Sequence, residues 1–353
     1  MQPVPVLILT GFLGAGKTTL LNKLLHDPAM ANVAVIINEF GDVPLDHLLV
    51  EAADDSILEL SSGCICCTIR GELIETLQRL FERQENLAPN REPLKTIVIE
   101  TTGLADPLPI MEAVMGHPTL KDHMRLAGVV SVVDAMNGLE TLKAHEVAVK
   151  QVALADQLLI SKCDLTKDRI PNDLMDEIKS LNPTALVSRD MSDLFDGLFD
   201  GGSAAFADAI SLDASDHSHH HEQNASINHG AGIKTFTIHR EHAIEKAALE
   251  AFIDLLASAH GVQLLRMKGL VCVSEHPDKP VLLHGVQTIF HPPEILDEWP
   301  DETRSSKLIF ITNGLSEDFV KRLYDGFLGV PQVDMADKAA LLDNPLSIAG
   351  FKG

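Results

Sequence analysis

Near the start of this 353-residue chain stands the octapeptide Gly11-Phe12-Leu13-Gly14-Ala15-Gly16-Lys17-Thr18. An apolar run (residues 5–10) precedes it and a helix-like stretch (residues 19–26) follows it. Strand, glycine-rich loop and helix in that order give the G-x-x-x-x-G-K-[ST] pattern its structural meaning. The glycines let backbone N–H groups turn inward and hold phosphate oxygens at the positive end of the next helix. In such a loop Lys17 reaches the β- and γ-phosphates, and the Thr18 hydroxyl sits on Mg²⁺. The motif therefore implies a bound nucleoside triphosphate.

A chain of this length can bury a full core and more readily makes two domains than one. Its 28 Lys and Arg against 51 Asp and Glu give a formal charge of −23. That balance disfavours nucleic-acid and anionic-membrane partners and suits a protein that meets cations. The first apolar run lacks a basic flank and is far too short for a signal peptide or a membrane span. Three of the five cysteines fall within four residues, Cys64, Cys66 and Cys67, while Cys163 and Cys272 stand alone. This is no disulfide framework, and it fits a thiolate site in a reducing cytoplasm.

Along residues 1–200 apolar strands alternate with amphipathic helices, which predicts an α/β domain with a mostly parallel sheet. The predicted strands are residues 4–10, 33–38, 56–60, 94–100, 128–134, 157–161 and 185–188. Helical patterns cover residues 71–85, 109–115, 145–155 and 174–181. Residues 201–232 dissolve into Gly, Ser, Ala, Asp, Asn and His and read as a linker. Residues 233–330 predict a small α+β domain. It has strands at 234–238, 262–274, 281–290 and 307–312, a helix at 241–259, and a last helix capped by Ser316. Residues 331–353 show no clear periodicity.

Four further segments carry chemistry. The apolar strand 96–99 runs into Glu100-Thr101-Thr102-Gly103. An acidic residue at such a strand end orients Mg²⁺ and its waters, and Gly103 can offer its N–H to a γ-phosphate. Ser161-Lys162-Cys163-Asp164 follows another apolar strand. There the Asp164 carboxylate would accept from the guanine N1–H and amine, and the Lys162 stem would pack on the base. Adenine offers no such donor pair and would leave the carboxylate unmatched. Ser161 stands where Asn is commoner. Cys64-Ile65-Cys66-Cys67 supplies soft thiolates suited to Zn²⁺, Co²⁺ or Cu(I). One tight segment does not complete a tetrahedron, so Glu39, Asp42 and His117 are candidate remote ligands. Finally, the His-rich stretch His217-Ser218-His219-His220-His221, with His229 beyond it, suits extra, weaker metal binding.

Together GFLGAGKTT, INEFG, GCICC, ETTGLADP, SKCD and the His-rich linker resemble the CobW-type metallochaperone GTPases, relatives of the nickel-inserting GTPases of urease and hydrogenase maturation. The resemblance spans nearly the whole chain. It implies a P-loop NTPase domain with a small C-terminal domain, GTP hydrolysis, and delivery of a transition metal to a client protein; the lack of any arginine before the cysteine cluster predicts a slow intrinsic rate. The resemblance assigns phosphate to Gly11, Gly14, Ala15, Gly16, Lys17, Thr18 and Thr19, guanine to Lys162 and Asp164, and the metal to Cys64, Cys66 and Cys67. Asp42 stands where many relatives carry Glu. The ETTG segment leans toward the zinc-associated branch over a cobalt chaperone of cobalamin synthesis. Implied partners are GTP or GDP, a transition metal ion and an unnamed client metalloprotein; self-association is left open. Competing classes are a small-molecule kinase, a nucleotide-gated thiol redox sensor and a metal buffer. The SKCD segment argues against the first, and thiol counting with and without Zn²⁺ separates the second.

Overall fold

A computed structural model describes residues 3–25, 32–37, 57–59, 67–85, 93–190, 232–300 and 303–329; within 57–59 and 67–70, and at Glu85, only the backbone is described. The cysteine pair Cys64 and Cys66, the candidate ligands Glu39 and Asp42, the His-rich linker and the tail lie outside these residues.

The apolar runs of the first half form seven parallel strands. They are β1 (Val4–Gly11), β2 (Val33–Ile37), β3 (Ile57–Glu59), β4 (Thr96–Glu100), β5 (Met124–Asp134), β6 (Gln157–Ser161) and β7 (Leu186–Ser188), in the order β3-β2-β4-β1-β5-β6-β7. Their near-continuous hydrophobicity has a simple cause, since successive side chains point to opposite faces and both faces are covered. Leu7, Leu9, Val35, Ile37 and Val98 pack under helix α1 (Lys17–Leu25) through Leu20, Leu21 and Leu24. Val6, Ile8, Ile36, Ile97 and Ile99 face the opposite layer. That layer is built from α2 (Cys67–Glu85), α3 (Leu108–Gly116), α4 (Gly138–Ala144), α5 (Glu146–Ala153) and α6 (Asn172–Leu181). The chain leaves β1 for β2, skips the later β4 between them, and returns to add β5 on the other side. Strand order therefore reverses at β1, which opens a crevice at the carboxyl ends of the strands.

The second half is antiparallel. Strands β8 (Ile233–Arg240), β9 (Leu264–Val271), β10 (Val281–Val286), β11 (Ile289–Phe290) and β13 (Ser306–Asn313) run in the order β11-β10-β9-β13-β8, and β12 (Glu294–Ile295) also pairs with β10. Helices α7 (Lys246–His260) and α8 (Glu317–Phe327) cover one face through Phe252, Leu256, Val320 and Tyr324. Ser316 caps α8, its Oγ accepting from the Phe319 N–H at 3.3 Å.

Three departures from the sequence pattern have physical causes. Residues 281–290 are not one strand but a hairpin, turned at Gln287 with φ +51°. No Gly or Asn marks that left-handed position, so the usual turn signal is missing. Residues 138–144 form α4, a short helix opening on Gly138, which the periodicity did not reveal. Finally, α7 begins at Lys246 rather than 241, because Ile244 is used in a bridge to Val273.

The two domains share a core. Ile233, Leu265, Val286 and Ile311 from the second sheet join the helical layer of the first domain. Within this contact lies Asp156, at the entry to β6. Its Oδ1 accepts from Arg266 and, at 2.5 Å, from Lys268, both on β9 and both buried. Its Oδ2 accepts from the Val129 N–H at 2.9 Å. Arg266 also donates to the Leu154 carbonyl. Burial alone would raise the Asp156 pKa, but the two cations hold it well below the usual carboxylate range. Burial draws Lys268 down to about 8 against the pull of Asp156, and His284, opposite Lys268 on β10, is pushed by burial to about 3 and is neutral at physiological pH.

Asp156→Ala strands two buried cations and should cost about 3–5 kcal/mol, read by denaturant unfolding. Because the folded pKa of Asp156 is depressed, its stabilisation is fully present above the unfolded value of about 3.9 and is lost as pH falls below it. Asp156→Asn should flatten that part of the acid limb, and an unchanged limb would place the acid sensitivity elsewhere.

Candidate functional site

Residues 11–18 come off the carboxyl end of β1, where the crevice opens. Gly11 has φ +139°, and a Cβ there would lie 2.4 Å from the Val132 carbonyl oxygen of β5, so no other residue fits. Gly14 and Gly16 also take positive φ, +71° and +102°, which turns the loop over the start of α1. Ala15 is buried beneath the turn, with its N–H on the Phe12 carbonyl at 3.2 Å. Lys17 is buried as well, and its Nζ donates to the carbonyls of Gly11 and Phe12 at 2.9 and 3.3 Å. The ammonium therefore lies folded back along the concave loop. Thr18 and Thr19 occupy the first turn of α1, where free backbone N–H groups and the helix dipole favour an anion.

Glu100 ends β4 level with Leu9 of β1. The Thr18 hydroxyl donates to its Oε1 at 3.4 Å, although 82 positions separate them in sequence. A hydroxyl and a buried carboxylate converging here form an oxygen donor set that suits Mg²⁺. Gly103, three residues on, packs directly against the phosphate loop: a Cβ on it would come within 2.6 Å of the Leu13 nitrogen. Thr101 fixes the approach, its N–H on the Leu9 carbonyl at 2.9 Å and its hydroxyl on Thr10 Oγ1 at 2.8 Å.

At the end of β6, Ser161 Oγ donates to the Ala15 carbonyl at 2.6 Å. A short hydroxyl is enough to tie this segment to the phosphate loop, which accounts for serine where Asn is commoner. Lys162 adopts the left-handed conformation (φ +58°) that opens the 3₁₀ turn Cys163–Thr166, and Asp164 stands exposed in that turn. A lysine with positive φ is uncommon and marks a constrained position. Its Nζ pairs with Asp134 Oδ2 at 2.6 Å. Burial pushes the Asp134 pKa up, but Lys162, Asn137 and the Met136 N–H outweigh it and hold the carboxylate ionised.

Several positioning residues were missed from sequence. Asp134 ends an apolar strand just as Glu100 does, and that signal could have found it. Gln151 interrupts a buried apolar stripe (Ala148, Val149, Val152) and donates to the Gly103 and Ala105 carbonyls at 3.3 and 3.0 Å. Lys150 pairs with Asp106 at 2.7 Å. Nothing local in the sequence announces that pair.

The metal candidates are less completely placed. The backbone of Cys67 opens α2. His117 caps the far end of α3 from Gly103, where its Nδ1 lies 3.0 Å from Thr119 Oγ1 and Gln78 of α2 donates to that same hydroxyl at 2.9 Å. Gln78 is eleven residues beyond Cys67, about 16 Å along α2. The packing of α2 on α3 thus holds His117 away from Cys67. Among the described residues no group of three His, Cys, Asp or Glu side chains could hold a metal ion, and no helix is long and apolar enough to cross a membrane.

A glycine-rich loop between a central parallel strand and its helix, with a Lys, a Thr and a remote acidic strand end, defines a P-loop nucleoside triphosphatase fold. Residues 5–189 match the family model "CobW/HypB/UreG, nucleotide-binding domain" and residues 233–328 match "Cobalamin synthesis protein cobW C-terminal domain", and the chain belongs to this family. Zinc chaperone YjiA of Escherichia coli K12 is 30% identical over 327 residues, covering 92% of this chain and 99% of that protein. Zinc chaperone CobW of a Sinorhizobium species is 30% identical over 314 residues, covering 79% and 84%. A crystal structure of Zn(II)-bound YjiA superposes with a TM-score of 0.65 at 24% identity, covering 93% of this chain and 99% of that one, and so shows the same fold.

Ser161→Ala removes the tie between the two loops, worth about 1 kcal/mol. Nucleoside diphosphate and triphosphate should weaken together, each about fivefold, in an equilibrium titration. A loss confined to one of them would mean that Ser161 acts elsewhere.

Proposed function

We propose that this chain is a GTP-hydrolysing metallochaperone of the cytoplasm, which binds a transition metal, zinc first, and passes it to a client metalloprotein under GTP control. The observation that carries the nucleotide half is the convergence of Thr18 on Glu100 beside a P-loop whose Lys17 faces inward. Base choice rests on Asp164, exposed in the turn after β6, with Lys162 anchored on Asp134 beside it. The metal half is supported by relatives named zinc chaperones and by the C-x-C-C sequence itself.

In hydrolysis Lys17 would leave the loop carbonyls to neutralise charge developing at the β–γ bridge. Gly103 would offer its N–H to the γ-phosphate. Thr18 and Glu100 would hold Mg²⁺ and its waters, and that ion supplies charge neutralisation for the phosphates. Between the N-terminus and the cysteine cluster the sequence contains no arginine. Transition-state charge is then only partly met, and a slow basal rate follows.

Metal cargo would be gripped by Cys64, Cys66 and Cys67, with Glu39 or Asp42 completing the set; His117, held by Thr119 remote from Cys67, is left out. Strands β2 and β3 end at Ile37 and Glu59, level with Glu100. In sequence, Glu39 follows Ile37 by two positions and Cys64 follows Glu59 by five, so both ligand segments continue from strand ends level with Glu100. If the two ligands each favour one arrangement of these segments, each changes the other's affinity by the same factor, with a coupling of about 1–3 kcal/mol.

Two measurements test this. GTP should bind far more tightly than ATP, and Asp164→Ala should erase the preference while sparing phosphate binding; equal affinities in the wild type would sink the GTP assignment. Co²⁺ loading should produce thiolate charge-transfer absorption that Cys66→Ala removes, whereas deletion of residues 216–229 should lower total stoichiometry and spare the tight site. Identical metal affinity with a GTP analogue and with GDP would leave a GTPase without nucleotide-gated delivery.

A further inference from the structure

Helix α5 meets the phosphate loop and the 103–106 turn through its N-terminal cap and body, and its C-terminal end is held by Asn182 after α6 and by Arg266 of the second sheet. At its N-cap the His145 ring stacks on Phe12 of the phosphate loop, with centroids 4.5 Å apart. Lys150 and Gln151 reach the 103–106 turn by the contacts already given. At its C-terminus, Asn182 Nδ2 donates to the carbonyls of Val152, Ala153 and Ala155 at 2.9, 3.1 and 2.8 Å. Arg266 of the second sheet grips the Leu154 carbonyl. The helix is thereby fixed at its base, independently of Gln151.

Gln151 is 1% exposed, and its Oε1 has no hydrogen-bond partner among the described residues. An unpaired amide oxygen is costly to bury. A methionine or leucine would fill this stripe, between Val149 and Val152, without that cost. What the amide alone supplies is a pair of N–H donors, and both go to carbonyls of the turn that presents Gly103.

We propose that Gln151 is a positioning residue for GTP hydrolysis: its two hydrogen bonds hold the 103–105 turn so that the Gly103 N–H stands where a γ-phosphate would arrive. The inference rests on the GTPase reading above and names the residue that prepares its γ-phosphate sensor. Gln151 acts through the turn and touches no nucleotide atom. The turn can meet only the third phosphate, so its preparation matters for GTP and is idle for GDP. A residue that merely filled the core would affect both nucleotides alike.

The test uses the full chain with two substitutions. Gln151→Met keeps the length and loses the donors; Gln151→Glu keeps the shape and sets acceptor oxygens against the carbonyls. Affinities for a non-hydrolysable GTP analogue and for GDP are read by fluorescent-nucleotide titration and by ligand-induced rise in Tm, which reports binding even in a destabilised variant. Single-turnover hydrolysis is followed at saturating GTP. Analogue affinity and the single-turnover rate should each fall about tenfold in Gln151→Met, and further in Gln151→Glu. GDP affinity should stay within about twofold of wild type. Equal loss for both nucleotides, unchanged hydrolysis, or failure of both variants to fold would make Gln151 a structural residue and overturn the proposal. Absence of GTP binding or turnover in the wild type would overturn the GTPase reading instead.

Discussion

The register of β1 between β4 and β5 is the constraint on which the nucleotide edge depends. Leu9 lies level with Glu100, Thr10 with Ser131, and Gly11 with Val132. Those pairings bring Thr18 to Glu100 and the loop's underside to β5 without any direct sequence proximity. A slip of one residue would exchange the faces of Leu7 and Ile8, turning residues shaped for α1 toward the other helical layer. Because both faces are buried, such a slip carries a large packing cost. The geometry of the phosphate loop is therefore secured by hydrophobic packing well below it.

The second domain is oriented by a different kind of force. Apolar burial between Ile233, Leu265, Val286, Ile311 and the helical layer supplies attraction but little direction. Direction comes from polar groups that must be satisfied where they are buried. Asp156 takes Arg266 and Lys268, Leu154 takes Arg266, and Thr235 Oγ1 donates to the Leu181 carbonyl at 2.7 Å. A buried ion cluster is weak evidence for net stability, but breaking one partner is expensive, so only one docking satisfies all three charges. One of them, Arg266, also holds the Leu154 carbonyl at the C-cap of α5, and Lys150 and Gln151 of that helix hold the 103–106 turn. The small domain and the γ-phosphate end of the site are thus fastened to one helix.

Much of this was legible in the linear chain because it depends on local chemistry. Gly11, Gly14 and Gly16 announce a turn only glycine can make, Lys17 and Thr18 announce its ligand, Glu100 ends an apolar run, and Asp164 stands in the polar turn just beyond another. Strand and helix alternation followed from short continuous apolar runs set between stretches with a hydrophobic period of about 3.6 residues. The periodicity failed where conformation was imposed from elsewhere: at Gln287, a hairpin turn without a turn residue, and at residues 138–144, a helix too short to show a stripe.

By itself, then, the sequence determined the phosphate loop, the parallel α/β domain with its smaller α+β partner, and Glu100 at the end of its strand. Each is set by residues within a few positions of one another, where backbone freedom and side-chain period act directly. Only the tertiary structure decided that Ser161 braces Ala15, that Asp134 anchors Lys162, that Asp156 holds the second domain, and that His117 lies three turns of α2 away from Cys67. These contacts join residues tens of positions apart or more. They are set by strand register and helix packing, which sum many weak interactions that no short stretch of sequence contains.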